Sequence, residues 1–185
     1  MDAFESVVSL VLRLEGYWTI QSLKVALNPE EKRAIGRPSS PRWELDVVAY
    51  RGKTNELLVV ECKSFLDSPG VTFDGDGLVP RERYKLFSED KTREVVLNRL
   101  VEQLVERGAC APNPTVRLCL AAGKLRHPKR ADELSRWFDE RGWRFISPDE
   151  LATKLDACIG AKYENDVGYV VAKLIGRKRS GPVAL

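Results

Sequence analysis

Histidine is almost absent from this chain. His127 is the only histidine among 185 residues, and it lies in a basic segment, KLRHPKR, that is typical of a loop. A metal site built on two histidines is therefore excluded within one chain, and a serine or cysteine nucleophile would have a single candidate base. We expect any catalytic chemistry to depend on carboxylates and lysines instead.

Long apolar runs and paired cysteines are also missing. No stretch approaches the roughly 20 apolar residues of a membrane-spanning helix, and the N-terminus is acidic where a signal peptide would be basic. The four cysteines, Cys62, Cys110, Cys119 and Cys158, include no CxxC pair, which disfavours a zinc ribbon or a disulfide framework. We therefore expect a cytoplasmic protein with no membrane partner.

The composition is that of one ordinary globular domain. Hydrophobic residues make up 43% and charged residues 31% of the sequence, enough for one substantial core. The net charge of +3 permits nucleic-acid binding without requiring it. We assign residues 1–176 to a single domain and residues 177–185, RKRSGPVAL, to a basic tail that is a candidate for flexibility.

Alternating helix and strand patterns predict an α/β fold. In chain order, the predicted elements are a helix at 2–15, strands at 17–27, 43–50 and 56–63, a helix at 91–107 and a strand at 116–122. A helix, a short strand and two helices follow, the last at about 163–175. Residues 28–42 and 64–84 are predicted as a polar loop and an irregular insertion. The α-β-β-β-α-β order indicates a central mixed sheet flanked by helices.

The second and third predicted strands form a hairpin that brings charged residues together. If its turn, RGKTN, is symmetric, residues equidistant from the turn face one another. Asp46 then lies opposite Glu61, and Glu44 lies opposite Lys63. Four ionisable groups therefore share one patch at the end of an otherwise apolar hairpin.

The same register sorts the hairpin into two apolar faces. Val48 and Val59 fall on the face that carries the charged patch, because side chains alternate along a strand. Leu45, Val47 and Cys62 fall on the other face. Burial on both faces is typical of a central strand.

Two opposed carboxylates make the patch a candidate metal site. Asp46 and Glu61 would repel one another across the strands, and a divalent cation would remove that repulsion. Mg²⁺ suits such a site because it accepts one or two protein carboxylates and keeps positions for water and phosphate oxygens, and Mn²⁺ is an expected substitute. Lys63, on the same side, could orient the attacking water. The alternative is a structural ion-pair cluster in which Lys63 binds Glu44 or Glu61.

This pattern resembles the PD-(D/E)XK nuclease superfamily, which includes restriction endonucleases and archaeal Holliday-junction resolvases. The resemblance covers roughly residues 1–122: an early helix with a glutamate, three strands that carry Asp46 and the ECK segment 61–63, then a helix and a strand. It implies a restriction-endonuclease-like fold and a Mg²⁺-dependent endonuclease that hydrolyses DNA phosphodiester bonds. By motif, Asp46 and Glu61 would bind the metal and Lys63 would assist the attacking water.

The resolvase-like branch implies a further ligand in the first helix. In that branch a glutamate completes the metal site and a glycine ends the helix, and Glu5 and Gly16 match this arrangement. The alternative for Glu5 is a solvated position beside the apolar stripe. Glu15 is a weaker candidate ligand, because a carboxylate at a helix C-terminus opposes the helix dipole.

Two positions match the superfamily pattern incompletely. Leu45 stands where the motif has proline, before the aspartate. Some branches place a glutamine in the helix after the third strand and a tyrosine four residues later, whereas here Gln103 is followed by Arg107. Gln103 is therefore either a minor site candidate or a polar flank of the helix.

A basic segment immediately before the Asp46 strand, RAIGRPSSPR, supplies hydrogen-bond donors for phosphate oxygens. The nucleic-acid-binding candidates are Arg37, Ser39, Ser40 and Arg42, with Arg33 beside them. Further basic residues that could extend this surface are Arg81, Arg83, Lys85 and those of the tail. The alternative is an ordinary solvated loop.

The expected function is therefore that of a magnesium-dependent deoxyribonuclease. RNA stays open as a substrate, and a homodimer is compatible with the resemblance because cutting both strands uses two sites. Two other interpretations are a catalytically silent nucleic-acid-binding or assembly module on the same fold, and an unrelated α/β protein with a surface ion-pair cluster. The sequence carries no signal for sequence or junction specificity.

Overall fold

The computed structural model describes residues 2–39, 42–162 and 164–179. Its helices are α1 (Ala3–Leu14), α2 (Pro29–Ala34), α3 (Lys85–Ser88), α4 (Asp90–Glu106), α5 (Ala131–Asp139), α6 (Pro148–Gly160) and α7 (Val167–Arg179). Its strands are β1 (Trp18–Val25), β2 (Trp43–Arg51), β3 (Glu56–Lys63), β4 (Thr72–Phe73), β5 (Leu78–Val79), β6 (Thr115–Ala122) and β7 (Arg144–Ile146). None of the helices within these ranges has both the length and the apolar character needed to cross a bilayer.

Five strands form one mixed sheet in the order β1-β2-β3-β6-β7. The first three are antiparallel neighbours, whereas β3, β6 and β7 run parallel. The short strands β4 and β5 pair with one another in the insertion that follows β3. Strand β2 therefore begins, and β3 and β6 end, at the same edge of the sheet, which we call the carboxyl edge.

Helices cover both faces of this sheet. On one face Val59 packs in a core with Leu100 of α4 and Phe138 of α5. On the other face Val60 packs with Val11 of α1, in a core to which α6 also contributes. Full burial of each such aliphatic side chain contributes about 1.5–3 kcal/mol. The predicted α/β class, a central mixed sheet flanked by helices, is confirmed.

The predicted hairpin register is also confirmed. Strands β2 and β3 pair from Val47 with Val60 to Arg51 with Glu56, and Val48 faces Val59 as expected. The paired region stops one residue before Asp46 and Glu61. These two residues therefore continue the register without forming a paired position of the ladder.

The face assigned to Leu45 was wrong. Leu45 is buried in the same core as Val48, whereas Val47 packs on the α1 face. The cause lies in the neighbouring strand, where Ser22 adopts a left-handed φ of 50° and interrupts the β1–β2 pairing beside Asp46. Side-chain alternation therefore shifts at this point, and Leu45 turns to the opposite face.

The segment predicted as a polar loop contains a short helix, α2. Asn28 caps it, since its side chain accepts hydrogen bonds from the backbone of Glu30 and Glu31. The Glu31 carboxylate in turn accepts from the Asn28 backbone N–H, which completes a capping box. Pro29 fits the first helical turn. The Asn-Pro-Glu-Glu sequence was therefore a helix-start signal that the loop prediction overlooked.

The C-terminal region differs in its bounds from the prediction. Helix α7 spans Val167–Arg179 rather than about 163–175. The first three residues of the predicted tail therefore belong to this helix. Residues 180–185 lie outside the described part of the chain.

Candidate functional site

A cleft of about 300 Å³ opens at the carboxyl edge, and both Asp46 and Glu61 line it. The basic residues that line the same cleft are Lys32, Arg37, Arg42, Arg83 and Lys85. They come from α2 and the chain before β2, and from the end of the insertion after β3. The cleft therefore brings two carboxylates of the predicted motif together with cations from two separate segments.

Asp46 is held by the backbone of the neighbouring strand. Its Oδ2 accepts a hydrogen bond of 2.7 Å from the Cys62 N–H. Had the ladder continued, the carbonyl of Leu45 would have accepted that N–H, so the Asp46 carboxylate replaces a backbone acceptor. Burial raises the pKa of Asp46, although the Cys62 N–H and the charge of Lys63 oppose the rise.

Glu61 forms an ion pair with Lys63. The Lys63 Nζ lies 2.5 Å from Glu61 Oε1, and about a fifth of each side chain is exposed (20% and 22%). Burial raises the pKa of Glu61 despite the stabilising charge of Lys63, and the Asp46 charge adds to the rise. Two neighbouring carboxyl groups thus both hold a proton more tightly than usual, because burial disfavours their negative charge.

Tyr84 completes the surroundings of Lys63, and sequence reasoning missed it. Its buried ring lies with its centre 5.9 Å from the Lys63 Nζ. Burial and the nearby charge of Glu61 raise the pKa of Tyr84 to about 12, so its hydroxyl stays protonated at neutral pH. Tyr84 lies in the irregular insertion, where no periodic pattern could have indicated that it returns beneath the β3 end.

Glu5 lies near this pair but is not among the described residues that line the cleft. It is half-buried on α1, and its carboxylate accepts a long contact of 3.5 Å from the Ser22 hydroxyl. Burial, and next the charge of Asp46, raise the pKa of Glu5. Glu5 is therefore electrostatically coupled to Asp46. Gly16 has the positive φ of 85° expected of a residue that ends a helix.

Glu15, the competing candidate, is committed elsewhere. Its carboxylate accepts hydrogen bonds of 2.7 and 3.0 Å from Arg144 and forms an ion pair of 3.1 Å with Lys154. Burial alone would raise the pKa of Glu15, but these two cations outweigh it and lower the pKa. Glu15 therefore stabilises the packing of α1 against β7 and α6.

The described residues contain no group of three or more His, Cys, Asp or Glu side chains arranged to hold a metal ion. Of the carboxylates that line the cleft, Asp46 and Glu61 are partly buried, whereas Glu44 and Glu82 are exposed. Mg²⁺ usually takes only one or two protein carboxylates and keeps water and phosphate oxygens as its other ligands. A pair of partly buried carboxylates facing an open cleft fits that requirement.

The two minor candidates lie in different surroundings. Gln103 is buried, and its amide accepts from the Ala26 N–H at 2.9 Å and donates to the Lys24 carbonyl at 3.1 Å. It joins α4 to the end of β1. Glu44 is exposed, lines the cleft, and approaches Lys24 at 3.9 Å.

Of the four residues predicted to bind nucleic acid, two line the cleft. Arg37 lines the cleft and stacks on Trp43, with its guanidinium carbon 5.0 Å from the ring centre. Arg42 is exposed and also lines the cleft. Ser39 is exposed, and Ser40 lies outside the described residues. The two arginines are therefore the members of this group that the fold brings to the carboxylates.

Comparison with known proteins identifies no relative: no family model, no curated protein and no solved structure matches the chain.

Proposed function

We propose that this chain is a metal-dependent endonuclease that hydrolyses DNA phosphodiester bonds through a site of the PD-(D/E)XK type. The observation that carries the proposal is that Asp46 and Glu61 line the same cleft as several basic residues, which we call the basic rim. A reaction at phosphorus needs cation ligands and phosphate donors within reach of one point, and this cleft provides both.

Asp46 and Glu61 are the residues that would hold the metal. Both are partly buried, and the raised pKa of each reports that the folded protein disfavours their negative charge. When bound, Mg²⁺ supplies Lewis-acid stabilisation of phosphate charge and makes water a better nucleophile. The hydrogen bond from Cys62 orients the Asp46 carboxylate in advance.

Lys63 is the cationic member of the site. Its contact with Glu61 and its position over the Tyr84 ring hold the ammonium group at the end of β3. From there it can donate to a non-bridging phosphate oxygen or orient the attacking water, because an ammonium group has three donors. This is the role that the resemblance assigns to the lysine of the motif.

The rim supports a phosphate-rich substrate. Arg37, Arg42, Arg83 and Lys85 line the cleft, and charge-assisted hydrogen bonds from such side chains position nucleic-acid backbones. Such contacts are to the backbone and carry no base sequence. They therefore favour a nucleic-acid backbone without selecting one sequence.

A second candidate function is a catalytically silent nucleic-acid-binding or assembly module on the same fold. The Glu61–Lys63 ion pair favours it, since that contact by itself neutralises one carboxylate without a metal. A binding module would bind DNA with unchanged strength in EDTA and would never release cut product.

The test incubates plasmid, linear and four-way-junction DNA, and a matched RNA, with the protein and Mg²⁺ or Mn²⁺. EDTA should abolish cleavage because it removes the metal, and Asp46→Asn and Lys63→Ala should each lower the cleavage rate by roughly 10²–10³-fold. Glu44→Gln, which removes an exposed cleft carboxylate outside the proposed ligand pair, should retain most of the activity. Cleavage that survives Asp46→Asn would overturn the site assignment.

A further inference from the structure

A second basic segment meets the carboxyl edge on the other side of β3. We call residues 123–130, which connect β6 to α5, the β6–α5 loop. Lys63 pairs with Ala122 at the end of β6, and the Gly123 N–H donates a 2.8 Å hydrogen bond to the Lys63 carbonyl. The loop therefore begins directly beside the lysine of the proposed site.

This loop is fixed in place by the insertion that follows β3. The Val71 N–H donates to the Lys124 carbonyl, and the Arg126 N–H donates to the Val71 carbonyl, both at 2.9 Å. Leu125 is buried between them. Gly70 makes the approach possible, because a Cβ there would lie 2.8 Å from the Arg126 nitrogen. Backbone contacts thus hold residues 124–126 of the loop in place.

The charge and exposure of the side chains in the loop indicate a polyanionic partner. Lys124, Arg126 and Lys129 are exposed, although the Lys124 Nζ also approaches the Leu66 carbonyl at 3.5 Å. Arg130 is different, because it binds Glu133 and the Phe73 carbonyl and so serves the fold. Three exposed cations on a rigid loop form a surface complementary to phosphates.

The sheet order sets the spacing of the two basic surfaces. Arg37 and Arg42, which we call the cleft arginines, precede β2, and the β6–α5 loop follows β6, so the two segments join the sheet on opposite sides of β3. Neighbouring strands are about 4.8 Å apart, which separates the two starting points by roughly 10 Å. The grooves of duplex DNA are about 6 and 12 Å wide, so this spacing is of the size that separates its two phosphate backbones.

We propose that the β6–α5 loop is a second phosphate-binding arm that contacts duplex DNA on the far side of the cleaved bond from the cleft arginines. The assignment rests on the proposed function, since it takes DNA as the ligand of the Asp46 and Glu61 site. Arg126 and Lys129 are the contacts to test, because both are exposed and neither side chain belongs to the catalytic set.

The experiment measures binding of a labelled DNA duplex by fluorescence anisotropy in EDTA at several salt concentrations. The test variant is Arg126→Ala with Lys129→Ala. The matched control, Lys53→Ala with Arg107→Ala, removes the same two charge types from exposed positions at the opposite edge of the sheet. A plot of the logarithm of the DNA association constant against the logarithm of salt concentration has a negative slope. If both loop cations contact phosphates, this slope should become shallower by about two in the test variant and stay unchanged in the control.

Equal slopes in the two double variants, or an unchanged slope in the test variant, would overturn the proposed arm. Thermal melting checks that both variants fold, and Arg126→Gln with Lys129→Gln replaces the alanine pair if its melting temperature falls. Binding is read without metal, so the result does not depend on cleavage. A wild-type protein that binds DNA through the loop but never cuts it would refute the endonuclease and leave the arm standing.

Discussion

The Asp46 carboxylate takes the Cys62 N–H, at 2.7 Å, in place of the backbone carbonyl that an unbroken β2–β3 ladder would supply. One side-chain oxygen thus closes the end of the ladder and is fixed in direction. The other oxygen, Oδ1, does not accept this hydrogen bond and can act as a metal ligand in the cleft. A structural hydrogen bond and a metal-binding role are compatible in one carboxylate.

Replacing Asp46 by asparagine should separate these two roles. The amide oxygen can still accept the Cys62 N–H, whereas the charge that burial disfavours is gone. Because the folded-state pKa of Asp46 is raised, its ionisation above that pKa costs stability. Without metal at neutral pH, Asp46→Asn should therefore melt at an equal or higher temperature than the parent, while its rate of metal-dependent cleavage falls.

Calorimetry across pH provides the check. The difference in melting temperature between Asp46→Asn and the parent should shrink as pH falls through the raised pKa, because the parent carboxyl is then protonated and neutral as well. Asp67→Asn, at an exposed loop position, is the matched control for the loss of one carboxylate. If Asp46→Asn were markedly less stable than the parent at neutral pH, ionisation of Asp46 would not cost stability as proposed.

Binding of a divalent metal should offset, in the parent protein, the loss of stability caused by the buried negative charge of Asp46. At about 100 times its dissociation constant, Mg²⁺ or Mn²⁺ should stabilise the fold by about 2.7 kcal/mol, or roughly 5–10 °C for a chain of this size. Since Asp46 and Glu61 have raised pKa values, protons compete with the metal at higher pH than at ordinary carboxylates. The metal-dependent shift should therefore weaken as pH falls. A metal-dependent rise in melting temperature that persists in Asp46→Asn would show that the metal binds at another site.

Much of this fold was predictable because local patterns and long-range packing agree. The strand from Glu56 to Lys63 follows from its short apolar run, LLVV, and the hairpin register follows from turn symmetry; both are confirmed. The reversal at Leu45 was not predictable, because its cause is the left-handed backbone of Ser22 in another strand. Sequence alternation within β2 alone contains no record of that interruption.

The candidate site divides in the same way. The motif spacing placed Asp46 and Glu61 within one hairpin, and both line the same cleft. Tyr84 reaches Lys63 only because a long irregular insertion folds back, and such a return leaves no periodic signal. The β6–α5 loop depends on a glycine contact between distant segments, which is likewise invisible in either segment alone.

Tyr84 offers a test of how Lys63 is positioned. Tyr84→Phe keeps the ring and its burial, so cleavage and stability should change little. Tyr84→Leu removes the cation–π contact, worth about 0.5–2 kcal/mol, and should lower kcat and alter its pH profile. Phe87→Leu removes a buried aromatic that packs on Phe138, so it should reduce stability while leaving the pH profile unchanged. Identical pH profiles for Tyr84→Leu and Phe87→Leu would leave Tyr84 a packing residue only.

The two glutamates of α1 should respond in opposite ways. Glu15 binds Arg144 and Lys154, and its lowered pKa contributes stability above its unfolded-state value that is lost as pH falls through the folded pKa. Glu15→Gln leaves the largely buried Arg144 without its main partner, so it should cost roughly 3 kcal/mol. Glu5→Gln should leave stability nearly unchanged or slightly raised, since the pKa of Glu5 is raised rather than lowered.

Metal titration of the two variants decides between these glutamates. Glu5→Gln should weaken the metal-induced rise in melting temperature, because it removes a negative charge coupled to Asp46. Glu15→Gln should start from a lower melting temperature and show the full metal-induced rise, since its carboxylate is occupied by Arg144 and Lys154. The reverse pattern, with the metal response lost in Glu15→Gln and intact in Glu5→Gln, would exchange their roles and require α1 to present its C-terminal end to the cleft.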